Sequence, residues 1–135
     1  MNIVELNWPE TIPVRHAVLW PNEPPDFCHV EGDDKAWHFG VLEDGKLVSV
    51  ASVFVDGKSA RLRKFATLDE HQGRGLGSAL VHYILSILEH RGVSRFWCDA
   101  RQSTVNFYSK FGLQTDGDIF YKSGIPYITM SRYLP

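Results

Sequence analysis

The segment His71-Gln72-Gly73-Arg74-Gly75-Leu76-Gly77-Ser78 holds the clearest chemistry in the chain. Glycines at alternate positions let a backbone turn sharply and remove the Cβ atoms that would block a close ligand. Leu80, Val81, Ile84, Leu85, Ile87 and Leu88 then recur at helical spacing, so the glycines join a strand to a helix. The first N–H groups of a helix have no internal partner and carry the positive end of its dipole. A phosphate or pyrophosphate suits that place. The charges agree, because helix first turns favour Asp or Glu, yet no carboxylate stands between His71 and Glu89. Arg74 adds a cation beside the turn. On the glycines alone two readings stay open, a phosphate cradle and a plain tight connection. The GxGxG spacing excludes the dinucleotide fingerprint, and no lysine follows a suitable glycine for a P-loop.

Other reactive residue types offer less. Arg61 and Arg63 lie two apart on a strand and project from one face. They either attract an acceptor bearing a carboxylate or form a solvated strand face. His16, His29, His82 and His90 form no metal-ligand spacing, so no metal is expected. Cys28 and Cys98 are the only cysteines and form no CxxC pair, which points to reduced thiols and a cytoplasmic protein. Tyr108 stands beside Phe107 and Phe111, and on spacing alone it reads as an aromatic anchor of a short helix.

The elements that must position these groups are legible in outline. Ile3 to Leu6 reads as a short strand, and a weak helix from Pro9 or Pro13 runs to Trp20. Pro21 to Asp26 reads as an extended loop. Ala36–Leu42, Lys46–Val55 and Ser59–Thr67 form a three-stranded meander, joined by Asp44-Gly45 and Asp56-Gly57 turns. After the glycine segment the long helix runs on, with Arg91 in its last turn and Gly92 ending it. Arg95–Cys98 is a strand, and a helix from an N-cap at Ser103 runs to Phe111, ended by Gly112. Gly112–Tyr121 and Pro126–Tyr133 are two more strands. The fold class is therefore α/β, a mixed and mostly antiparallel sheet flanked by helices, with at least one parallel pair where a helix crosses between strands.

The chain has 135 residues, 44% hydrophobic and 22% charged, which fits one compact domain that folds without disulfides or a structural metal. Fourteen basic against sixteen acidic residues give a net charge of −2, which argues against general nucleic-acid binding. No apolar run reaches the roughly 20 residues of a membrane helix.

Gln72-Gly73-Arg74-Gly75-Leu76-Gly77 resembles the Q/R-x-x-G-x-G/A signature of the GNAT superfamily of N-acetyltransferases. Asn106-Phe107-Tyr108-Ser109-Lys110-Phe111-Gly112-Leu113 looks like that family's "FYxKxGF" helix end, with Leu113 for the usual Phe. The resemblance covers roughly residues 36 to 133 and includes the order of elements. It implies a single N-acetyltransferase domain over 1–135 that uses acetyl-CoA as co-substrate, without a metal. Its acceptor would be a small-molecule or protein amine, acetylated by direct transfer through a ternary complex. By position, main-chain groups of Phe65, Ala66 and Thr67 would pair with the pantetheine arm. Gln72, Gly73, Arg74, Gly75, Leu76, Gly77 and Ser78 would hold the pyrophosphate. Tyr108 aligns with the general acid that protonates the departing thiolate. Arg63 and Tyr127, the latter in the Ser123-Gly124-Ile125-Pro126-Tyr127 turn between the last two strands, are the acceptor-site candidates. The family's strand glutamate is missing, and Glu70, His71 and His38 could replace it or be ordinary turn or surface groups. That departure keeps a non-catalytic CoA-binding or sensor domain as the alternative, and a homodimer is compatible with either.

Overall fold

The computed structural model describes all of residues 1–135. Seven strands and three helices follow one another along the chain: β1 Asn2–Leu6, α1 Trp8–Leu19, β2 Trp37–Glu43, β3 Lys46–Asp56, β4 Ser59–Thr67, α2 Leu76–Leu88, β5 Arg95–Arg101, α3 Val105–Ser109, β6 Gln114–Lys122 and β7 Ile125–Tyr133. The strands form one sheet in the order β1-β2-β3-β4-β5-β7-β6. β1 with β2, β2 with β3, β5 with β7 and β6 with β7 are antiparallel. β4 and β5 are the parallel pair, as expected across the crossover through α2. The fold is thus the mixed, mostly antiparallel α/β sheet that the sequence implied.

Turn chemistry sets the meander. Asp44 and Gly45 have φ of 50° and 78°, the positive pair that a type I′ turn requires. The next turn sits one residue later than expected. Asp56 still belongs to β3, and Gly57 with φ 60° opens the two-residue loop, as in a type II′ turn.

The chain divides into two compact units, Met1–Phe54 with Leu62–Ile87 and Val55–Arg61 with Leu88–Pro135. In the first, Val14 of α1, Val50 and Ala66 form a buried cluster, against which Leu6, Val18, Leu19, Leu47 and Leu68 pack. Leu76, Leu80, Val81 and Ile84 of α2 are also buried. In the second, β5 alternates strictly, with Phe96, Cys98 and Ala100 buried and Arg95, Trp97 and Asp99 on the other face.

Several boundaries differ from expectation. α2 ends at Leu88, so Arg91 lies beyond its last turn, although Gly92 does take a left-handed φ of 75°. Ser103 is not an N-cap, because Gln102–Thr104 forms a 3-10 turn and α3 begins at Val105. The proline-rich segment is not extended throughout, since Pro25–Cys28 closes a 3-10 turn. Proline fixes φ near the helical value, so it suits a first helical position as well as an extended one.

Candidate active site

In the first unit, β4 leads through a 3-10 turn at Asp69–His71 into the glycine segment and α2. Gly75 O accepts the N–H of Ala79 at 3.0 Å, which makes Gly75 the residue that opens the helix. The N–H groups of Leu76, Gly77 and Ser78 are then the first turn, without intrahelical partners. No carboxylate occupies that turn. The glycines have separate reasons. Gly75 has φ 79° and nothing within 4 Å of an added Cβ, so it is needed for its backbone conformation and leaves open space. At Gly77 an added Cβ would stand 2.9 Å from Cζ of Phe65 on β4, so glycine there seats the helix on the strand. Gln72 anchors the other side, its Nε2 donating to Thr67 O at 2.9 Å and to Asp69 Oδ1 at 3.2 Å. Gly75→Ala should therefore lower stability by about 1–2 kcal/mol through the left-handed φ alone. A urea unfolding midpoint unchanged from wild type would show that the turn relaxes.

β4 itself carries a non-glycine residue at positive φ, Lys64 at 55°. The Lys64 ammonium lies 4.7 Å from the centre of the Trp20 ring. Beyond that point, Leu68 N–H donates to Val48 O at 2.9 Å. Alternation then aims the N–H of Ala66 toward β3, and those of Phe65 and Thr67 toward the opposite edge. The parallel pairing with β5 covers Ser59–Arg61 against Arg95–Trp97.

The cation of the turn is not solitary. Arg74 Nη1 and Nη2 reach Glu43 Oε1 and Oε2 at 2.8 and 3.0 Å. His71 Nδ1 is 3.1 Å from the same carboxylate. Burial of the Glu43 carboxyl opposes its ionisation, but the His71 bond and the Arg74 charge outweigh it and hold it below the usual carboxylate range. Sequence spacing gave no sign of this pairing, since Glu43 is 31 residues from Arg74.

The replacements considered for the strand glutamate are all engaged. Glu70 pairs with Lys46 at 3.8 Å. His38 is no surface group but 3% exposed, with Nε2 donating to Asp33 O at 2.9 Å and Nδ1 accepting from Ser52 Oγ at 2.7 Å. Ser52 also accepts from the wholly buried Arg15, at 2.9 Å. This is therefore a sealed polar network and not an exposed Ser-His nucleophile. Arg63 lies with its guanidinium 5.0 Å from the Phe54 ring centre.

In the second unit, α3 carries Tyr108, whose ring meets Phe107 edge-on at 5.0 Å. Burial pushes the Tyr108 phenol well above its ordinary range, and the neighbouring Cys98 adds to it. Burial likewise pushes the Cys98 thiol up to about 12, so both groups keep their protons at neutral pH. Arg61 is not a solvated strand residue. Its Nη2 donates to Asp99 Oδ2 at 2.8 Å, and its guanidinium lies 4.7 Å from the Trp97 ring centre. Thr129 Oγ1 donates to Asp99 Oδ1 at 2.8 Å. An acid within the apolar run Phe96–Ala100 was the one sequence signal for this cluster. Tyr127 sits inside β7, opposite Arg101 and stacked on Phe120 at 6.0 Å, while Ser123-Gly124 makes the turn. No group of three His, Cys, Asp or Glu side chains could hold a metal ion.

Residues 28–134 match the family model described as "Acetyltransferase (GNAT) domain". An uncharacterized N-acetyltransferase of Bacillus subtilis strain 168, YitI, is 31% identical over 125 residues, covering 86% of this chain and 84% of that protein. The [ribosomal protein bS18]-alanine N-acetyltransferase of Escherichia coli K12 is 31% identical over 88 residues, 65% of this chain and 57% of that one. The crystal structure of the ribosomal-protein-S18-alanine N-acetyltransferase from Escherichia coli superposes with TM-score 0.79 at 22% identity, covering 98% of this chain and 92% of that one. A GNAT family acetyltransferase from Elizabethkingia anophelis with acetyl-CoA bound gives 0.76 at 12% identity, covering 98% and 99%. The glycine turn, the order of the seven strands and the extent of these matches place the chain in the GNAT acetyltransferase family.

Proposed function

We propose that this protein is a single-domain enzyme that moves the acetyl group of acetyl-CoA directly onto a small-molecule or protein amine while both are bound. The opening of α2 carries the reading, because Gly75 leaves open space before a first turn without carboxylates. Gln72 to Ser78 would hold the pyrophosphate, with main-chain N–H groups doing most of the work. Phe65 and Thr67, whose N–H groups face away from β3, would pair with the pantetheine arm, and Ala66 between them would line it. Acetyl-CoA supplies an acetyl group activated as a thioester. The acceptor nitrogen bonds to the acetyl carbon as the carbon–sulfur bond breaks. Tyr108 donates its phenolic proton to the departing sulfur and regains one from the amine side. A phenol held protonated by burial suits an acid and not a base.

Arg63 and Tyr127 are proposed for the acceptor wall, and the [ribosomal protein bS18]-alanine N-acetyltransferase relative makes a protein amine one acceptor class to test. Cys28 and Cys98, both buried and unpaired, support a cytoplasmic setting. No helix is long and apolar enough to cross a membrane.

Acetyl-CoA at a hundred times its Kd should stabilise the native protein by about 2.7 kcal/mol and raise its melting temperature. Thiol release with a panel of amines then identifies the acceptor. A melting temperature unmoved by acetyl-CoA would refute the proposal.

A further inference from the structure

Glu43, His71 and Arg74 form a cluster that cannot satisfy all its members at once. The carboxylate of Glu43 binds both terminal nitrogens of Arg74. His71 Nδ1 lies 3.1 Å from Glu43 Oε1 and 3.0 Å from Arg74 Nη1. One imidazole nitrogen either carries a proton and donates, or lacks it and accepts. With a proton, His71 serves Glu43 and opposes Arg74. Without one, it accepts from Arg74 and turns a lone pair toward the carboxylate. Either state leaves one contact of the three unfavourable. The arrangement improves if Arg74 departs and His71 is protonated. Arg74 is half exposed and lies within the glycine turn, one residue before the helix opens, so it can leave toward an anion held there.

We infer that Glu43 and His71 are positioning residues of the cofactor turn, and that a phosphate group of acetyl-CoA takes Arg74 from Glu43 while His71 replaces it. The inference rests on the cofactor reading above. Before binding, the Glu43 and Arg74 charges cancel. Afterwards Arg74 pairs with phosphate, and His71 has taken a proton from solvent and donates it from Nδ1 to Glu43. The bond exchanged is thus a salt bridge for a salt bridge, and the bound proton is the observable. The other charged groups near the cluster are already matched. Lys46 and Glu70 pair at 3.8 Å with both side chains mostly exposed, and Asp69 accepts from Gln72.

Calorimetric titration of the whole protein with acetyl-CoA, in two buffers of different ionisation enthalpy, measures the proton taken up. It is repeated from about pH 5 to about pH 8, the window in which a histidine changes charge. Wild type should take up a measurable fraction of a proton near neutrality. Glu43→Gln and His71→Gln should take up less. Glu43→Gln should also bind acetyl-CoA about two- to fivefold more tightly at the upper end, because Arg74 is no longer held back. The 3′-phosphate of the ligand titrates in the same window, but it does so in all three proteins and cancels in the comparison. Equal proton uptake in the three proteins, or unimproved binding by Glu43→Gln, overturns the exchange while the cofactor reading stands. Acetyl-CoA that binds none of the three overturns both.

Discussion

Tyr108→Phe should lower kcat by about 10²- to 10⁴-fold, the usual contribution of a positioned general acid, and leave acetyl-CoA binding nearly unchanged. The substitution is structurally mild. Phenylalanine keeps the ring that meets Phe107, and the Tyr108 main-chain carbonyl still accepts from Phe111 N–H at 3.0 Å. What is lost is one proton donor. A thiolate leaving without a proton is a poorer leaving group, so the loss should fall on the chemical step and not on the Kd. The pH profile provides a second check. Because burial pushes the phenol above its ordinary value of about 10, kcat should show no decline from phenol ionisation below that pH. A base would behave in the opposite way, with activity rising as the phenol ionises. Unchanged turnover in Tyr108→Phe removes the residue from the mechanism.

Local chemistry made much of this protein legible. Asp44-Gly45 announced a hairpin because few residues tolerate positive φ, and the turn has that conformation. The glycine segment could be read because its constraints are also local: a sharp turn, a helix opening and a first turn without acids. What sequence could not reveal lies in contacts between distant residues. Nothing in the spacing of the first helix marked Arg15, whose side chain is wholly buried beside Asp33. His38 stood as either a replacement base or an ordinary surface group, and its two ring nitrogens are both committed in the interior. Arg61 stood as either an acceptor-binding cation or a solvated one, whereas Asp99, 38 residues away, holds it. Each error has one source. Charge predicts exposure only until a partner is known, and the partners come from elements that periodicity can locate but not pair. Helix ends failed for another reason, since Ser103 satisfies the residue preference for a cap while the backbone chose a 3-10 turn there.

Asp33→Ala should destabilise the protein by about 3–5 kcal/mol, because it leaves the Arg15 guanidinium buried without a counter-charge. Arg15 Nη1 and Nη2 donate to Asp33 Oδ2 and Oδ1 at 2.7 and 3.0 Å, and both side chains are 0% exposed. The remaining bonds of Arg15, to Cys28 O at 3.0 Å and Ser52 Oγ at 2.9 Å, are neutral and cannot replace the charge. Typical domains are stable by only about 5–15 kcal/mol, so the melting temperature should fall on the order of 10–20 °C. Replacing both partners, as in Arg15→Met with Asp33→Ala, should recover most of the loss, since an apolar pair has no desolvation to offset. A double variant as unstable as Asp33→Ala would place the cost in lost packing instead. Acid gives an independent test of the pair. Burial alone would raise the Asp33 carboxyl, but the Arg15 bond, the Val30 N–H and the Arg15 charge together hold it below the usual range. A depressed value in the folded state adds stability that is fully present above the unfolded value of about 3.9 and is lost as pH falls through the folded one. The stability gap between wild type and Asp33→Asn should therefore be constant near neutrality and narrow below about pH 4. A gap that persists unchanged into strong acid would mean that the charge of Asp33 does not hold this network together.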